Sequence, residues 1–84
     1  MTKSQMIDSI FNILVQYEKV YDNNSKVQLI DYLNYIDRLY TFFNGYNSEI
    51  AIMLKGIYNL KEQNEHDSVK RAVFHMISLL QKEE

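Results

Sequence analysis

Apolar residues recur at helical spacing along nearly all of this chain, and the widest apolar surface belongs to residues 25–43. There Leu29, Tyr32, Leu33, Tyr35, Ile36, Leu39, Tyr40, Phe42 and Phe43 fall on roughly 200° of arc, twice the ~100° stripe of an ordinary surface helix. Asp31, Asn34, Asp37, Arg38, Thr41 and Asn44 occupy the remainder. A helix apolar over that much of its circumference needs several neighbours, a second chain, or both. This stretch is therefore expected to organise the fold.

The flanking pattern predicts three further helices. A first helix over residues 4–21 has Met6, Ile10, Ile13, Leu14, Tyr17 and Tyr21 as its core face, widened by Ile7, Phe11 and Val15. Thr2 and Gln5 have the spacing of a capping box at its start, and Asp22-Asn23-Asn24 reads as the turn after it. The central helix, 25–44, opens on a second capping-box pair, Ser25 and Gln28. It closes at Asn44-Gly45, where Gly45 suits the left-handed residue that follows a helix end.

A third helix, 48–63, is capped by Asn47 or Ser48 and carries the narrow stripe Ile50, Met53, Leu54, Ile57 and Leu60. Gly56 inside it predicts close backbone packing. The stripe vanishes over residues 61–67, so Asp67 or Ser68 is expected to cap a fourth helix, 68–82, with Val69, Ala72, Val73, Met76, Ile77, Leu79 and Leu80 inward. Phe74 falls outside that face. With no proline in the chain, one long helix from 48 to 81 is the alternative. No stretch alternates with period two, so the fold class expected is all-α: a single domain over residues 1–84. Four antiparallel helices are the economical arrangement, and three with a long C-terminal helix are the alternative.

Composition changes this picture by exclusion. Without cysteine there are no disulfides, thiolate metal sites or cysteine nucleophile. No run of about 18 apolar residues spans a bilayer, and the first residues lack the pattern of a secretory signal, so the expected compartment is the cytoplasm. Phe, Tyr, Met, Ile, Asn and Lys make up 39 of the 84 residues and Gly, Ala, Arg and Pro only six, a bias expected of an AT-rich genome such as that of a low-GC bacterium, its phage or plasmid.

Candidate chemistry is sparse. Glu65, His66 and Asp67 are consecutive and diverge, and His75 lies on the polar side of its helix, so no metal site is expected. No carboxylates are placed to face one another, and two isolated glycines build neither a phosphate loop nor a nucleophile elbow. The expectation is a non-enzyme with no cofactor and no indicated small-molecule substrate. Net charge is −2, with acidic and basic residues interleaved, which argues against nucleic acid as partner.

The surplus apolar surface points instead to a protein partner or to self-association, since Tyr and Phe are enriched at interface cores. Tyr32, Tyr35, Leu39, Phe42 and Phe74 are the candidate interface residues. A small cytoplasmic regulator, inhibitor or immunity-type protein, acting alone or as a homodimer, fits this size. The architecture is similar to that of bacteriocin immunity proteins, a likeness of architecture alone.

One motif supports a different class. Ser48-Glu49-Ile50-Ala51 followed by Ser68-Val69-Lys70-Arg71-Ala72-Val73 resembles the paired helices of LuxR-type regulators, which implies a helix-turn-helix transcription regulator. In that family the corresponding Ala and Val are closer than the eighteen residues from Ala51 to Val69, and Leu54 to Leu60 continues a helical stripe where the turn belongs.

Overall fold

The computed structural model describes residues 2–23, 26–60 and 65–82. Four helices follow in order: α1 Lys3–Asn23, α2 Lys26–Asn44, α3 Ser48–Asn59 and α4 His66–Lys82. No strand occurs among the described residues. Each helix packs on its sequence neighbours and α4 returns to α1, while the backbones of the diagonal pairs stay apart. The result is an up-down-up-down ring 39 Å long and about 20 Å across.

Local sequence explains most of the boundaries. At the start of α1 the capping box forms reciprocally: the Thr2 N–H donates to Gln5 Oε1 at 2.9 Å, and the Gln5 N–H to Thr2 Oγ1 at 3.2 Å. Asn47 caps α3 with extended backbone, its Oδ1 accepting from the N–H groups of Glu49 and Ile50 at 3.1 and 3.2 Å. The capping role expected of Ser25 lies outside the described residues.

Several boundaries differ from the expectation. Asp22 and Asn23 do not turn; α1 continues through both, because each costs a helix only a few tenths of a kcal/mol. Gly45 is not left-handed. The chain instead leaves α2 by tightened bonds, with the N–H groups of Tyr46 and Asn47 both donating to the Phe43 carbonyl at 3.0 and 2.8 Å. Helix α3 stops at Asn59, not 63, where the Leu60 N–H bonds the Ile57 carbonyl at 3.0 Å and the backbone departs from helical dihedrals. That break rules out one helix from 48 to 81. Helix α4 starts two residues early: the Glu65 carbonyl accepts from the Val69 N–H at 3.0 Å, so Glu65 stands at the cap position. Asp67 lies in the first turn, where the helix dipole favours it, and is not the cap.

Among the described residues eighteen apolar side chains form one core, including Ile10, Ile13 and Tyr17 of α1, Tyr32, Ile36 and Phe43 of α2, Ile50, Leu54 and Ile57 of α3, and Val69, Val73 and Met76 of α4. Val20 joins them unannounced by the α1 stripe, whereas Tyr21 is only half-buried. The overwide surface of α2 has a plain cause. This helix sits between α1 and α3, with Tyr35 turned to α1, and with Ile36 and Tyr40 facing Leu54 and Tyr58 of α3.

Gly56 was expected to mark close packing, yet a methyl group there would meet nothing within 4 Å, and the residue is exposed. Only backbone entropy is then at stake. Gly56→Ala is expected to stabilise the protein by up to about 1 kcal/mol. A urea melt checks this, and a lowered midpoint would show that the position is constrained.

Candidate functional site

Three surface or semi-buried features can be built from these helices. The first is an aromatic cluster beyond the end of α3, where α1, α2 and α4 meet. The Tyr17 ring centroid lies 4.5 Å from that of Tyr21, 5.7 Å from Tyr32 and 5.5 Å from His66. Burial first, then the neighbouring Tyr17 and Tyr21, raises the Tyr32 phenol above its ordinary 10.0. Burial likewise raises Tyr17, with Tyr21 and Glu65 adding to it and the Glu65 backbone opposing. Both phenols thus hold their protons more tightly folded than unfolded. Their contribution to stability is complete below pH 10 and is lost as pH rises beyond it. The Tyr17 and Tyr32 phenols are therefore neutral at physiological pH.

Within it the Tyr32 hydroxyl is buried and has no hydrogen-bond partner among the described residues. A hydroxyl buried in that state costs about 1–3 kcal/mol. Tyr32→Phe is expected to raise the thermal midpoint by several degrees, about 1 kcal/mol corresponding to about 4–8 °C in a domain of this size. A fall on calorimetry would mean that the hydroxyl is bonded, for instance through a buried water.

The second feature is an open groove of about 350 Å³ between α2 and α3. Ile36, Tyr40, Leu54 and Tyr58 line it with Asp37 and Lys55. Its size lies at the lower end for ligand sites, and its polar groups supply neither a nucleophile–base pair nor facing carboxylates. Among the described residues no group of three or more metal-ligating side chains converges.

The third feature is the seam where α1 and α4 run antiparallel. Three contacts fix their register. The Lys3 ammonium reaches the Gln81 carbonyl at 3.5 Å, Phe11 meets Phe74 edge-on with centroids 6.5 Å apart, and Glu18 Oε1 lies 3.8 Å from His66 Nε2. Phe11 and Phe74 are 48% and 47% exposed, and Val15, one turn beyond Phe11, is 37% exposed. These three side chains make an apolar strip across two helices that the core does not cover. By contrast Ile52, at 71%, stands exposed on α3.

The residues expected to form an interface divide accordingly. Tyr32 is fully buried and Leu39 only 6% exposed, so both belong to the core and have no surface to offer. They lie on the centre of α2's inward arc, not on its flank, because α2 is gripped from both sides. Tyr35 is half-buried and its hydroxyl donates to the Ser9 carbonyl of α1. Phe42 is half-buried, stacked on Tyr46 at 5.9 Å and edge-on to Phe43 at 5.0 Å. Phe74 alone of the five is strongly exposed. Its neighbours Phe11 and Val15 were legible as the excess width of the first helix, but the sequence did not reveal that α4 brings Phe74 beside them.

No helix among the described residues is long and apolar enough to cross a membrane. Comparison with protein-family models, with curated proteins and with solved structures finds no match to this chain.

Proposed function

We propose that this chain is a small non-enzymatic protein of the cytoplasm that acts by binding another protein through the seam between α1 and α4. The observation that carries the reading is the pairing of Phe11 with Phe74, two large rings left half-exposed side by side with Val15 adjacent. Single exposed apolar residues are ordinary on any surface, whereas a contiguous strip on two rigid helices marks an interaction site. Aromatic side chains dominate such interfaces because they bury much area for few rotatable bonds.

The test compares Phe11→Ser and Phe74→Ser with Ile52→Ser, which removes a more exposed side chain from a different face. Capture of protein from lysate of the source cells, and mass by sedimentation, are measured for all four forms. The seam variants should lose whatever association the wild type has, and Ile52→Ser should keep it. Equal association in every form would end the reading. Tight duplex-DNA binding that weakens steeply with salt would replace it by the regulator reading.

A further inference from the structure

We infer that the groove between α2 and α3 binds a free amino acid that carries a large apolar side chain. The groove lies off the α1–α4 seam, so this site is independent of the protein-binding surface. Ile36 and Leu54, both fully buried, make its floor, and the half-buried rings of Tyr40 and Tyr58 flank it. Among the described residues only two charged side chains line it, Asp37 from α2 and Lys55 from α3, and both are exposed.

The short turn between the helices sets these two charges level. Asp37 comes seven residues before the end of α2 at Asn44, and Lys55 seven residues after the start of α3 at Ser48. With the same rise per residue in both arms of the hairpin, the two positions stand opposite one another. Yet no ion pair joins them, and neither is paired with another described side chain.

An apolar floor between two separated, opposite charges is complementary to a zwitterion with an apolar body. Its ammonium is drawn to Asp37 and its carboxylate to Lys55, while its side chain covers Ile36 and Leu54. An amino acid with an aromatic or long aliphatic side chain has these three parts. The groove, at about 350 Å³, is small among ligand sites, which suits a single amino acid. So small a ligand in an open groove binds weakly, with a dissociation constant on the order of 1 mM.

Titration of L-phenylalanine into isotope-labelled protein, followed by its amide resonances, tests the site. Saturable shifts are expected at Tyr40, Lys55 and Tyr58, and none along the α1–α4 seam. Glycine, a zwitterion without an apolar body, should give no saturable shift. Phenethylamine, which lacks the carboxylate, and hydrocinnamate, which lacks the ammonium, should each bind about two- to fivefold more weakly, the range of an exposed ion pair. Each substitution then removes one preference. Lys55→Gln should bind phenylalanine and phenethylamine alike, and Asp37→Asn should bind phenylalanine and hydrocinnamate alike. Both positions are exposed, so helical circular dichroism should not change. Absence of saturable shifts in the groove, or binding that ignores both charges, overturns the inference.

Discussion

Phe43→Ala is expected to lower the free energy of unfolding by about 3–5 kcal/mol. For an 84-residue domain, whose whole stability is roughly 4–13 kcal/mol, that is a large fraction. The ring is fully buried at the C-terminal end of α2 and contacts both Phe42 and Tyr46. Its carbonyl also receives the two bonds that carry the chain into α3. Truncation therefore opens a cavity where α2 and α3 are joined by a turn of only three residues, a place with little freedom to collapse. Urea unfolding followed at 222 nm measures the loss. A change under about 1 kcal/mol would mean that Phe43 is not the centre of that packing.

Ile36→Ala is expected to cost about 2–5 kcal/mol, and Leu33→Ala only about 1. Both residues belong to the apolar arc of α2, and by spacing alone they are equivalent. The structure separates them: Ile36 is fully buried, while Leu33 is half-buried on the flank. The half-covered side chain loses less transfer free energy and leaves no closed cavity. Paired denaturant melts decide the order. If Leu33→Ala proved the more damaging, α2 would have to be rotated about its axis from the position described.

The same pair illustrates how far sequence reasoning reaches. Period 3.6 was enough to read an all-α fold of four helices, because each apolar stripe is interrupted where a cap or a polar run stands. The Thr2–Gln5 pair does cap α1, and of the two candidates Asn47 and Ser48 it is Asn47 that caps α3, since capping chemistry is local and needs no tertiary context. Ends decided by competition were less legible. Asn23 stays in α1, Leu60 leaves α3 before its stripe is finished, and α4 begins ahead of Asp67. Those outcomes depend on where the neighbouring helices hold the chain.

Side chains on α2 show the limit most clearly. Tyr32 and Leu39 looked surplus on one flank, yet they lie at the centre of the core. A single helix gives the width of its apolar arc but not the directions from which other helices approach. Phe74 was separable from its own stripe by spacing, and Phe11 from the centre of its stripe. Their juxtaposition required the antiparallel register of α1 and α4, set by contacts between residues 48 to 78 positions apart in sequence.

The central claim is that Phe11 and Phe74, and not the aromatics of α2, form the binding surface. With four phenylalanines in the chain, two on the seam and two at the end of α2, labelled phenylalanine rings resolve the question by nuclear magnetic resonance. As unlabelled lysate of the source cells is added to the labelled protein, the ring signals of Phe11 and Phe74 should shift and broaden, while those of Phe42 and Phe43 hold their positions. Movement of Phe42 and Phe43 with Phe11 and Phe74 unchanged would contradict the account.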